Sequence, residues 1–182
     1  MRDRASHGVP GPVILRAAVP DDALCLSVLA MQVFLDTYAI AGIRPLIARE
    51  ALSHSQESLR RFIADPLART VVAELDGHLI GFAQLRLSVC HQLIPQTDQA
   101  ELLRLYVQRP FIGAGVGARL LRHAETIADQ SGAGILWLTA WAHNHRALRF
   151  YARHDYRDHG LAWYTFEGES HQNRVLAKPV MR

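Results

Sequence analysis

Apolar and polar positions along this chain follow two periods in turn, one near 2 and one near 3.6. After Pro12, the run VILRAA at Val13 to Ala18 predicts a first strand. Pro20-Asp21-Asp22 then marks a helix start, with acids where the helix dipole favours them. From Ala23 to Tyr38, apolar Leu24, Val28, Met31, Phe34 and Leu35 recur at helical spacing and predict one buried face. Gly42 breaks the pattern, and two short helices are expected over Ile43 to Ala51 and Gln56 to Ile63. Ser55 stands where the second needs a cap.

The period then shortens. Thr70 to Leu75 and His78 to Val89 are β-rich runs separated by Asp76-Gly77, which is a strong hairpin signal. In the second run, alternation sets Ile80, Phe82, Gln84 and Arg86 on one face, and Leu79, Ala83, Leu85 and Leu87 mostly on the other. His91 to Gln99, with Pro95, reads as a loop, and Gln99 to Val107 as a strand. Glycines follow at 113, 115 and 117, and a helical pattern begins at once with Val116, Leu120, Leu121, Ala124, Ile127 and Ala128 on one face. Ser131-Gly132 ends it. GILWLTA at Gly134 to Ala140 is apolar throughout, as in a strand buried on both faces. A helix over His143 to Arg153 and two closing strands, Tyr156 to Phe166 and Asn173 to Ala177, complete the chain.

Strand, helices, three consecutive strands in antiparallel order, then a strand–helix–strand crossover: this succession predicts an α+β (mixed α/β) fold. The central mixed, mostly antiparallel sheet should have about seven strands flanked by helices. At 182 residues the chain fits one domain, expected over residues 13–182, behind a flexible tail at residues 1–12. That tail lacks the apolar stretch of a secretory signal, and no apolar run approaches the ~20 residues of a membrane span. Two cysteines, Cys25 and Cys90, make no disulfide framework, so a cytoplasmic setting is expected. Net charge is +3 and pI about 9.2. The basic residues are scattered, which argues against a nucleic-acid partner.

A glycine-rich turn between a strand and a helix N-terminus lets a phosphate approach several backbone N–H groups at the positive end of the helix dipole. Two common ligands of such turns are excluded. After Gly113 and Gly115 the third position of a dinucleotide fingerprint holds Ala118, which such a fingerprint tolerates, but the turn comes late, after several strands, and no acid ends the following strand where a ribose-binding one would stand. No Gly-Lys-Ser/Thr follows either, so the nucleotide-triphosphate loop is absent.

Two stretches together resemble the GNAT N-acetyltransferase superfamily. LYVQRPFIGAGVGARLL, residues 105–121, looks like its acetyl-CoA motif, with Gly115 and Gly117 at the two small positions. NHRALRFYARHDY, residues 144–156, looks like its Asn-x-x-Ala-x-x-Phe-Tyr signature, matched at Asn144, Ala147, Phe150 and Tyr151. There are two departures: Ile112 stands where Arg or Gln is usual, and Asp155 where Gly is usual.

The resemblance implies the GNAT acyl-CoA N-acyltransferase fold and direct transfer of acetyl from acetyl-CoA, without metal, to a primary amine of a small molecule or peptide. It implies that Leu105, Tyr106 and Val107 offer their backbone to pantetheine and oxyanion. Ile112, Gly113, Ala114, Gly115, Val116, Gly117 and Ala118 would surround the pyrophosphate, and Asn144 would add an amide to the cofactor while also capping its helix. Tyr151 would protonate the leaving thiolate, a role a phenol protonated at neutral pH fits. Glu101 is the first choice of general base, although a solvent-facing strand end accounts for it equally well. Tyr38, Glu74, His91 and Tyr164 are further polar groups for an acceptor cleft. His143-x-His145 lacks a third ligand and is assigned no metal. TFEGESHQNRVLAKP is similar to polyamine-type members, although a solvated hairpin accounts for Glu167 and Glu169 more simply. Homodimerisation is common in such folds by resemblance. The competing reading is a non-catalytic acyl-CoA-binding sensor on the same fold, motivated by Ile112.

Overall fold

The computed structural model describes residues 11–166 and 168–180. Residues 1–10 of the expected tail lie outside the described residues. Seven strands form one sheet in the order β1-β2-β3-β4-β5-β7-β6. They are β1 (Ile14–Ala17), β2 (Ala68–Leu75), β3 (His78–Leu87), β4 (Gln99–Val107), β5 (Ile135–Trp141), β6 (Arg157–Phe166) and β7 (Glu169–Pro179). Among the described strands only β4 and β5 run parallel. The last strand inserts between β5 and β6, which places β6 at the sheet edge.

Five helices flank this sheet. Helices α1 (Ala23–Tyr38), α2 (Pro45–Leu52) and α3 (Gln56–Ala64) lie in the β1–β2 connection. Ser55 caps α3, its Oγ accepting from Ser58 N–H at 3.3 Å. Helix α4 (Val116–Gln130) packs its apolar stripe on β3 and β4 from the other face, and α5 (His145–Ala152) follows β5. Asp76 and Gly77 both take positive φ, 50° and 78°, in the β2–β3 hairpin.

The predicted face of α1 is corrected. Leu24 and Val28 are 56% and 60% exposed, and the core takes Leu26, Leu29, Ala30 and Val33 beside Phe34, which the prediction placed correctly. Both stripes of this helix are apolar, so periodicity alone has two solutions. The alternation read in β3 also fails at two residues, Leu79, which packs on the side of Phe82, and Ile80. Glu74 pairs with Leu79 and Ala73 with Gly81, leaving Ile80 as an extra residue. This bulge turns Ile80 to the side of Ala83 and Leu85, away from Phe82.

A second bulge lies in β4. Leu85 pairs with Leu102 and Gln84 with Arg104, so Leu103 has no opposite residue. Leu102 and Leu105 therefore share the α4 side, while Tyr106 packs on the α1 side. Parallel pairing of β4 with β5 covers only Gln99, Ala100 and Glu101. Beyond it the two strands part.

Candidate active site

The parting of β4 and β5 leaves one edge of Leu105–Val107 without a strand partner, while its other edge stays bonded to β3. A cleft of about 410 Å³ opens there. Its walls include Leu105, Tyr106 and Val107 from β4, the glycine turn, and Asn144 and Tyr151 around α5. Tyr38 closes it from α1. Unpaired backbone groups are strong hydrogen-bonding groups in search of partners, so this edge suits an extended ligand carrying amides.

At the turn, Gly113 and Gly115 have φ of 90° and 80°. A side chain at either would be strained by its backbone, although open space surrounds both positions. The first bond inside α4 runs from Arg119 N–H to Gly115 O at 3.1 Å. The N–H groups of Val116, Gly117 and Ala118 precede it and have no carbonyl one turn back. An anion at this end meets unscreened backbone and the positive end of a 15-residue helix. These residues fit the diphosphate of CoA.

Nine of the eleven sequence-predicted cofactor residues line the cleft, together with Tyr151; Ala114 and Val116 do not. Val116 is 2% exposed and anchors α4 in the core. Its side chain is structural, which corrects any cofactor contact through it and leaves only its N–H. Ile112 is 42% exposed at the cleft mouth. Arg146 and Arg153, which the sequence reading did not single out, also line the cleft. Their seven-residue spacing on α5 was the available signal, because it sets both on one helical face. Arg109, the nearest cation in sequence to Ile112, is exposed and is not part of that lining.

Tyr151 is 8% exposed, between Phe150 and Tyr156. Burial, and then Tyr38 and Tyr106, push its phenol well above the ordinary value. Its proton is therefore retained through the neutral range. Asn144 caps α5, its Oδ1 accepting from Ala147 N–H at 3.1 Å. The same residue lines the cleft.

Glu101 does not line the cleft. It is half-buried on β4 opposite Arg86 and Trp137, at the last paired step before the strands part. Burial pushes its carboxyl up, and Arg86 and Arg104 oppose that shift. Of the other polar candidates, Tyr38 is in place and Tyr164 donates its hydroxyl to Glu50 Oε2 at 3.1 Å. Glu74 does not join them, because it pairs with Arg16 at 2.9 Å beside β1. His91 sits in the β3–β4 loop with its ring on Trp137. Glu169 pairs with Arg44 at 2.9 Å, and Glu167 lies outside the described residues. His143 and His145 face each other edge-on at 6.5 Å, and no group of three or more metal-ligating side chains occurs among the described residues. Nor is any helix there long and apolar enough to cross a membrane.

The comparisons agree with this geometry. Sequence relatives include an uncharacterised N-acetyltransferase of Lactobacillus delbrueckii, 28% identical over 98 residues. That match covers 54% of this chain and 57% of the relative, little more than half its length. Streptothricin acetyltransferase of Streptomyces lavendulae is 34% identical over 105 residues, covering 57% of this chain and 52% of that protein. Among solved structures, a PaiA N-acetyltransferase of Thermoplasma acidophilum in complex with coenzyme A superposes with a TM-score of 0.73 at 23% identity. It covers 93% of this chain and 99% of that one, a likeness of fold. The sequence model of the Acetyltransferase (GNAT) family matches residues 39–156, from the end of α1 to the start of β6. The chain belongs to the Acetyltransferase (GNAT) family.

Proposed function

We propose that this protein, as one domain over residues 13–182, transfers acetyl from acetyl-CoA to a primary amine of a small molecule or peptide. The transfer occurs by direct attack in the gap between β4 and β5. The observation that carries this reading is the unpaired Leu105–Val107 edge, facing a cleft that also holds the glycine turn and Tyr151.

The ammonium of the acceptor first gives a proton to Glu101, through water because Glu101 stands outside the cleft. Its lone pair then attacks the thioester carbonyl, whose oxygen gains charge opposite backbone N–H donors of β4. A C–N bond forms and the C–S bond breaks, with its electron pair left on sulfur. Tyr151 gives that sulfur a proton and regains one as the new amide loses its extra hydrogen. The products are the N-acetyl amine, CoA thiol and one released proton.

Arg146 and Arg153 support cofactor binding despite Ile112, since both stand on the cleft wall. They weaken the motive for the non-catalytic sensor. Two exposed free thiols, Cys25 and Cys90, accord with a reducing, cytoplasmic setting. Homodimerisation would have an outlet at the edge strand β6, where Trp163 is 64% exposed. The reaction as written uses neither metal nor nucleic acid. A panel of amines assayed for CoA release tests the reading. Titration that found no acetyl-CoA binding at millimolar concentration would defeat it.

A further inference from the structure

We infer that the acceptor amine also carries a carboxylate, and that Arg104 receives it. This rests on the transferase reading above and names the class of its acceptor.

Four Lys and Arg side chains among the described residues are half-buried: Arg16, Arg104, Arg174 and Lys178. Three have a carboxylate partner. Arg16 meets Asp22 at 2.7 Å and Glu74 at 2.9 Å, Arg174 meets Asp158 at 2.6 Å, and Lys178 meets Glu125 at 3.0 Å. Arg104 makes no ion pair within 4.0 Å with a described carboxylate. Its hydrogen-bond partner is neutral. Nη1 donates to Gln84 Oε1 at 2.8 Å. Gln84 is completely buried, and its amide nitrogen donates to Thr70 Oγ1 at 3.2 Å. That bond turns the Gln84 oxygen toward Arg104 and fixes the guanidinium in place.

A guanidinium has five N–H donors in a rigid fork matched to carboxylate geometry, and the Gln84 oxygen occupies only one edge of it. With no carboxylate within 4.0 Å, the rest of the fork is open to an anion supplied from outside, which it would bind by charge-assisted bonds. The position agrees. Arg104 is not itself part of the cleft lining, but it follows the bulge at Leu103 that sets it on the sheet face away from α4, the face of Tyr106, which does line the cleft. Charged and titratable groups around it are Glu101, His54, Tyr106 and Tyr164, the last bonded to Glu50. A cation is thus bracketed by carboxylates, the pattern a short amino carboxylate complements. A polyamine, which carries only positive charge, would leave Arg104 repelled, so the likeness of the C-terminal run to polyamine-type members is set aside.

The test uses the full chain, acetyl-CoA and matched acceptors: a panel of free amino acids, the corresponding amino acid amides and the decarboxylated amines. Amino acids are expected to exceed their amides in kcat/KM by roughly 10- to 100-fold, the range of a charge-assisted pair. Arg104→Gln should erase that preference through the acceptor KM, leaving the acetyl-CoA KM unchanged. Arg104→Lys, which keeps the charge but not the fork, should retain part of it. CoA release with amides or simple amines at equal or greater efficiency would overturn the inference and leave the transferase reading standing. A uniform loss across all acceptors in Arg104→Gln would also overturn it. Silence with every acceptor, amino acids included, would sink the transferase reading and this inference with it.

Discussion

The proposed chemistry rests on two residues, and burial acts on both. The phenol of Tyr151 is held protonated by its apolar surroundings and by Tyr38 and Tyr106. Tyr151→Phe keeps the ring and removes the proton, so kcat should fall by about 10²-fold, with acetyl-CoA affinity nearly unchanged. An unaltered kcat would remove Tyr151 from the acid role. Glu101 has its carboxyl raised by burial. A base works only when deprotonated, so kcat/KM should rise with pH through that raised value and stay level beyond the ordinary tyrosine range, where Tyr151 still carries its proton. In Glu101→Gln the acidic limb should vanish; its persistence would assign the base elsewhere. Asp155 is a third informative residue. Its φ of 67° ends α5 in the left-handed region, which costs a side-chain-bearing residue roughly 1 kcal/mol. Asp155→Gly should therefore raise the melting temperature by a few degrees.

Among the elements, the glycine turn and β4 make the site together. Gly115→Ala places a Cβ on a residue with φ of 80°. The strain, about 1–2 kcal/mol, should appear as a higher acetyl-CoA KM or lower stability, with the amine KM little changed. Much of this level was legible in the sequence. The glycine turn, the Asn144 cap and the Asp76-Gly77 hairpin each depend on residues close in the chain. The bulges at Ile80 and Leu103 were not legible, because each is defined against a partner strand. Without the bulge at Leu103, Arg104 would share a face with Leu105's neighbours in the core, and no sequence period announces the switch. The buried stripe of α1 was misread for a related reason: both candidate stripes are apolar, and only the sheet beneath chooses between them. Arg146 and Arg153 were passed over because their helix was read for its apolar residues.

Across the whole molecule, the order of the strands decides what the cleft can do. Inserting β7 between β5 and β6 gives β5 an antiparallel partner on its far side, so it stays paired along its length where it leaves β4. His54 ties the helical layer to this sheet. Ser27 Oγ donates to its carbonyl at 2.7 Å, and its ring packs on Phe34 and Tyr106. Burial lowers its imidazole pKa to about 4. An unfolded histidine near 6.5 binds a proton that the folded one refuses, so stability should fall as pH drops through 6.5 and level off near 4. The loss attributable to His54 is of order 3 kcal/mol. Denaturant titrations of wild type and His54→Phe over this range should differ in slope; parallel curves would show that His54 does not titrate between the two states.

The central claim is that acetyl passes from CoA to an amine where β4 leaves β5. Its most direct measurement follows free CoA thiol and the mass of the acceptor together, with acetyl-CoA and a broad amine panel. The account predicts thiol release that requires an amine, matched one for one by N-acetylated product. Saturable acetyl-CoA binding with no amine-dependent thiol release across the panel would contradict it and identify the fold as a sensor.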